Sequence, residues 1–331
     1  MLALLALMLP GCWLTGERET EAEAYVNTLA DALKRPPERS DIPTVERLPR
    51  SRNRQLELPE LDVGLGDFLS LYGCELQVVI GERTSTLGRV AHPGTRMEYH
   101  LRFLEAADAC LPKVDSESRT ETLRDAREAR AESLPLALWN GIWASDEIAS
   151  LVSRSGGLLP APAPEQTLEQ LTQGLSETAS MLDSAEPGQV PAEIEAMTAR
   201  YRQWREAPRF GQLLRSAEAL QTRLGDSADT LDRALAANSD CPFEADPLAF
   251  FQQHYLRGLA GRVALVRAHG RRMARALETL VRVPGAPVPD AMTPFIDRNL
   301  RTAYSGSVWY DLDRAVERHA EAWNRLLARC D

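Results

Sequence analysis

The chain has 331 residues, 44% of them hydrophobic and 26% charged, which is enough apolar material for a core and too much for a disordered chain. Its 38 basic residues against 48 acidic ones give a net charge of −10, opposite to the electrostatic footprint that neutralises nucleic-acid phosphates, so no nucleic-acid partner is expected. No apolar run reaches the roughly 20 residues that cross a bilayer as a helix. Leu and Ala abound while Ile occurs six times and aromatic residues make up 6%, a mixture that favours helices over strands.

An all-α fold is therefore expected, built of long antiparallel helical hairpins packed in two lobes and clamped by disulfides. In chain order, residues 1–11 read as a signal peptide: the apolar run Leu2 to Leu9 ends at Pro10-Gly11-Cys12, the length of a secretory h-region. Leu9-Pro10-Gly11-Cys12 resembles the lipobox of bacterial lipoproteins, which implies diacylation of Cys12 and a membrane held through an acyl anchor. By resemblance to lipoprotein sorting in Gram-negative bacteria, Trp13 after the Cys points to the outer membrane, with the protein facing the periplasm. The alternative is a buried N-terminal helix with an incidental Cys.

Residues 12–62 read as the lipidated Cys and a Pro-rich tether, helical at most over 13–35. Pro36, Pro37, Pro43, Pro49 and Pro59 forbid a continuous helix after that. An N-terminal helical lobe is expected over 63–154. Within it, Leu65, Phe68, Leu69, Tyr72, Leu76, Val79 and Ile80 recur at helical spacing, and a partner helix follows the Pro93-Gly94 turn up to Cys110. A polar helix covers 116–132 and an apolar segment with Trp139 and Trp143 covers 136–152. The loop Ser155 to Pro164 is taken as the boundary to a C-terminal lobe over 155–331. There a helix through Leu168 to Leu182 precedes one from Pro191 to about Pro208. Leu213, Ala217, Leu220, Leu224, Ala228, Leu231 and Leu235 then form a coiled-coil-like seam interrupted by Gly225. Long elements from Pro247 to Arg282 and from Pro294 to Cys330 close the chain, the second weakened at Ser305-Gly306-Ser307.

Apart from Cys12 the cysteines are Cys74, Cys110, Cys241 and Cys330, an even number. Two residues joined across a helical hairpin lie equidistant from its turn. The midpoint of 74 and 110 falls beside His92-Pro93-Gly94, and that of 241 and 330 inside Pro284-Gly285-Ala286-Pro287. The expected bonds are thus Cys74 with Cys110 and Cys241 with Cys330, with four buried free thiols as the alternative.

The stretch Phe68 to Gln77, continuing through Gly81 to Val90 and Tyr99 to Leu104 to Cys110, resembles an uncharacterised proteobacterial lipoprotein family, domain of unknown function 3080. The lipobox and the segment Trp139 to Glu147 fit it as well. The resemblance implies a lipid-anchored envelope protein and brings no activity, cofactor or catalytic residue with it.

The five His residues show no HExxH and no close pair at ligand spacing, so no metal or cofactor is assigned, and no nucleophile elbow or phosphate loop occurs. Asp146 and Glu147 are adjacent and point about 100° apart on a helix, so they do not flank one bond. The candidate binding residues are Glu75, Gln77, Glu82, Arg83, Arg89, Glu98 and Arg102, dense with charge on the 68–104 hairpin. A solvated face or an internal salt-bridge network is the favoured reading of that cluster. The stripe Arg262, Arg267, Arg271, Arg272 and Arg275 suits anionic groups, or else pairs with acidic helices of the same chain. The expectation is a non-catalytic binding or scaffolding module of the envelope, with an envelope protein or the cell wall as partner. The alternative is a cell-envelope hydrolase using Glu75 or Glu82 with Arg83 or Arg102.

Overall fold

The computed structural model describes residues 20–43, 46–59, 73–237 and 240–330. Cys12, the signal peptide over 1–11 and the start of the first hairpin helix at 63–72 lie outside the described residues. Among them all regular structure is helical.

Helix α1 (Glu21–Ala32) opens with a capping box, Thr20 Oγ1 accepting from Glu23 N at 3.2 Å while the Glu23 carboxylate accepts from Thr20 N at 2.9 Å. Helices α2 (Glu75–Thr84) and α3 (Thr86–Arg89) are split at Ser85, whose hydroxyl caps the second by accepting from Gly88 N. In α4 (Pro93–Cys110) Pro fills the first position, where its missing N–H costs nothing. The polar α5 (Glu117–Glu132) matches its expected span. The apolar segment expected over 136–152 is two helices, α6 (Leu134–Trp143) and α7 (Asp146–Leu151), divided because the Ser145 side chain caps the Ile148 N–H. Helices α8 (Glu165–Asp183) and α9 (Met197–Glu206) follow. The seam helix α10 (Arg209–Ala237) continues through Gly225, because a single glycine in a helix interior costs only about 1 kcal/mol. The element expected from Pro247 to Arg282 consists of α11 (Pro247–Phe250), a π-helix over Phe251–Leu259 and α12 (Ala260–Arg282). Helices α13 (Thr293–Asn299) and α14 (Val308–Cys330) flank the expected weak point.

The chain divides into two compact units, each discontinuous in sequence. The first is drawn from 20–40, 223–261 and 319–330. Its core joins Leu29 and Leu33 to Leu231, Phe243, Trp323 and Leu326, and the Cys241–Cys330 disulfide closes it. Tyr25 Oη lies 2.8 Å from His319 Nε2 and accepts from Trp323 Nε1 at 2.9 Å. Burial holds the His319 pKa down at about 3, so the ring is neutral.

The second unit comprises 41–222 and 262–318, so the expected lobe boundary at 155–164 lies inside it. The Cys74–Cys110 disulfide joins the start of α2 to the end of α4, over a core of Leu76, Val79, Phe103 and Ala107. Residues 46–56, expected as part of a tether, are strapped to this unit by hydrogen bonds no periodicity reveals. The carbonyls at the end of α6 are the orphans every helix leaves, and the strap takes several of them. Arg54, 3% exposed, donates Nε to Trp143 O and Nη2 to Ser145 O (2.9 Å), and Ser51 Oγ donates to Ala144 O (2.8 Å). In return Trp139 Nε1 donates to Arg54 O (2.7 Å), and Asn140 exchanges two bonds with the Leu56 backbone (2.7 and 2.8 Å).

Candidate functional site

The charged cluster expected on the hairpin divides three ways. Arg102 Nη1 donates to Glu82 Oε2 at 2.7 Å, and its Nη2 lies 3.7 Å from Glu75 Oε1. The Glu75 side chain is 68% exposed, so this is a surface network of modest energetic weight. Gln77 is half-buried on the same helix. Arg83 and Arg89 turn to the backbone instead, donating to Gly88 O (3.2 Å) and Thr84 O (3.1 Å) at the α2–α3 break. Glu98 lines a cavity near the start of α4, beside His92. The basic stripe is largely engaged within the chain. Arg267 and Arg271 both reach Asp313, Arg262 donates to Leu159 O and Pro160 O, and Arg272 contacts the His269 ring.

The cavity beside His92 holds about 550 Å³. Glu147 is buried at its base while its neighbour Asp146 is exposed, the divergence expected of adjacent helical positions. Glu147 Oε2 accepts from His92 Nε2 at 2.7 Å, and Oε1 accepts from Arg205. His92 Nδ1 in turn accepts from Gly94 N at 3.0 Å and so caps α4. That acceptor role puts the ring proton on Nε2. Burial pushes the Glu147 carboxyl up, but the hydrogen bonds from His92 and Arg205 outweigh it and hold the group below its ordinary pKa. Tyr201 packs edge-on against His92 and donates to Gly141 O at 2.7 Å. Both His nitrogens and both carboxylate oxygens are engaged, so this constellation is a brace between α4, α7 and α9.

A second cavity, of about 570 Å³, is built differently. The segment after α7 lies along α10, where Gly211 has no side chain to collide with the Ser153 carbonyl. Gln212 Nε2 donates to Gly156 O (2.9 Å) and Ser216 Oγ accepts from Leu159 N (2.9 Å). A turn over Arg154–Gly156 leaves through Gly157 at φ 74°, a left-handed conformation that glycine adopts without cost. These contacts place Arg154 on Glu218, whose side chain is fully buried. Glu218 Oε2 accepts from Arg154 Nη2, while Oε1 has no hydrogen-bond partner. Burial pushes the Glu218 carboxyl up to about 7, against the lowering influence of Arg154, Arg298 and Arg215. Burial likewise lowers the Arg154 guanidinium; the Glu218 charge opposes this, and the crowding of Arg215 and Arg47 adds to it. The apolar part of the wall comes from Leu48, Val152, Leu158, Leu214 and Phe295, and the strap supplies Ile42, Glu46 and Arg47.

The profile of a protein family of unknown function, DUF3080, matches residues 22–331. The chain belongs to this family. No curated protein and no solved structure matches it.

The leucine stripe of α10 gives no sign of Glu218 in this DUF3080 chain. Leu213, Ala217, Leu220 and Leu224 define the seam, and Glu218 falls beside it, where a coiled coil carries solvated charge. In fact α10 is also buried off that stripe, with Gln212, Ser216, Glu218, Asp226, Ser227 and Thr230 all under 9% exposed. The available signal was a long helix carrying small polar residues at Ser216, Ser227 and Thr230 where a solvated face takes Lys, Arg or Glu. The DUF3080 chain has no helix among its described residues that is long and apolar enough to cross a membrane.

Proposed function

We propose that this DUF3080 chain is a lipid-anchored envelope protein, acylated at Cys12, held at the outer membrane and facing the periplasm, and that it acts as a non-catalytic binding module through the cavity at Glu218. The observation that carries the binding role is the unpartnered Oε1 of a fully buried carboxyl lining a cavity of about 570 Å³. Buried polar atoms are almost always paired, and one without a partner costs about 1–3 kcal/mol unless something outside the chain completes it. Location is supported by the resemblance of residues 9–12 to a lipobox. It is also supported by the Cys74–Cys110 and Cys241–Cys330 disulfides, which persist in oxidising compartments. The alternative, a hydrolase built on Glu75 or Glu82, lacks comparable support, since both carboxylates are paired with Arg102 at the surface.

Two measurements test this. Metabolic labelling with an alkyne palmitate, followed by membrane fractionation, should place label and protein in the outer membrane, and Cys12→Ser should lose both; an unlabelled wild-type chain in the cytosol refutes the location. Native mass spectrometry of the chain extracted from envelopes should show a retained small molecule that Glu218→Ala loses. Equal retention by that variant refutes the cavity's role.

A further inference from the structure

Resting on the reading of the Glu218 cavity as a binding site, we infer that its ligand is an amphipathic anion, a carboxylate or phosphoryl head joined to an apolar tail, and that Glu218 takes up a proton when the anion binds. The charge inventory argues for an anion. Arg47, Arg154 and Arg215 line the cavity against Glu46 and Glu218, an excess of one positive charge, and of two once Glu218 is protonated. Arg215 donates to the Arg154 carbonyl (3.3 Å), an acceptor without net charge. Arg298 also acts on Glu218 but is committed to Asp311. Guanidinium forks suit carboxylate and phosphoryl oxygens alike.

The geometry of Glu218 sets the second feature. Oε2 already accepts from Arg154, so a proton on the carboxyl sits on Oε1, the oxygen without a partner. There it donates to an anionic oxygen, while a charged Glu218 would repel the same group. An entering negative charge raises the carboxyl pKa further, so the bound state holds the proton. The apolar wall of Leu48, Val152, Leu158, Leu214 and Phe295 offers nothing to a purely inorganic anion, and it suits a hydrocarbon chain.

The test uses the mature chain with Cys12→Ser, exported so that both disulfides form, and titrates it calorimetrically with decanoate, decyl phosphate, decyltrimethylammonium and inorganic phosphate. Both decyl anions should bind, the stronger of the two telling a free acyl carboxylate from a phosphorylated amphiphile. The decanoate head stays ionised near neutrality, so it reports the protein's own proton. From a Glu218 pKa of about 7, decanoate binding should weaken about tenfold between about pH 6 and about pH 8. Glu218→Gln, a permanently neutral donor, should bind at about pH 8 as wild type does at about pH 6. Retention of its near-UV circular dichroism confirms that it folds. Equal affinity for decyltrimethylammonium, equal affinity for inorganic phosphate and decyl phosphate, or an unchanged pH dependence in Glu218→Gln each overturns the inference. If no decyl anion binds while the native molecule is still lost in Glu218→Ala, this inference fails and the binding reading stands.

Discussion

Replacing Arg54 by Met tests whether the Pro-rich strap belongs to the folded unit and to its cavity. The guanidinium donates to Trp143 O, to Ser145 O at 2.9 Å and to Pro49 O at 2.5 Å. Two of these acceptors cluster at the C-terminal end of α6, where a positive charge also complements the helix dipole. A hydrogen bond from a charged donor contributes about 1.5–3 kcal/mol, and a buried carbonyl left bare costs about 1–3 kcal/mol. Met recovers some apolar contact, so the expected loss is about 3–5 kcal/mol. The readout is amide exchange over residues 46–58 together with urea unfolding. Leu56 N, which donates to Asn140 Oδ1 at 2.8 Å, should lose about a hundredfold to a few thousandfold in protection, since each 1.4 kcal/mol is tenfold. Because Ile42, Glu46, Arg47 and Leu48 wall the Glu218 cavity, decanoate affinity should fall in parallel. An unmoved unfolding midpoint with Leu56 still protected would refute the reasoning and assign the strap to Trp139 and Asn140 alone.

Further outcomes follow from other sites. Glu218 has its pKa raised from 4.5 to about 7, so the folded state keeps a proton that the unfolded state gives up. Stability from this group is full below about pH 4.5 and falls by about 3 kcal/mol as pH rises to about 7; chemical denaturation of Glu218→Gln across that window should lack this slope. His100 runs the other way. Burial, then the Arg130 charge, lowers its pKa to about 4, so its contribution is complete above about pH 6.5 and about 3 kcal/mol is lost on acidification to about pH 4. His100→Gln should flatten that loss in unfolding midpoints while preserving a donor to Arg130 O. Gly211→Ala presses a Cβ onto the Ser153 backbone carbonyl, and should lower the thermal midpoint and weaken decanoate binding, because the Arg154 turn is displaced with it. Cys241→Ser with Cys330→Ser opens a loop of 89 residues and should cost about 4.5 kcal/mol in the chain-entropy model, measured by urea unfolding.

The sequence is most legible where one physical constraint acts alone. The pairings Cys74–Cys110 and Cys241–Cys330 follow from turn positions, and the span of α5 follows from an unbroken polar, charged run. Legibility fails where several partners share an element. The π-helix at Phe251–Leu259 keeps an apolar sequence pattern that suits an α-helix as well, and its Phe251–Tyr255 stacking at 5.2 Å appears only in space. Proline spacing forbids a continuous helix over 36–59, where the described residues hold a short 3-10 turn at Ser51–Asn53, yet the anchoring of Arg54 to carbonyls about 90 residues away has no periodic trace. The charge cluster that stands out on the hairpin, around Glu82 and Arg102, is a surface pair, whereas the buried carboxyl at Glu218 hides beside a row of leucines.

The first described helix cannot be completed until nearly the last one exists. Tyr25 meets His319 at a sequence separation of 294, and the surfaces of Leu29 and Leu33 pack against Trp323 and Leu326. Since a polypeptide leaves the ribosome from its N-terminus, these surfaces lack their native cover until residues 319–326 have been made. A product stopped short of His319 lacks both the partner of Tyr25 and the side chains that cover Leu29 and Leu33.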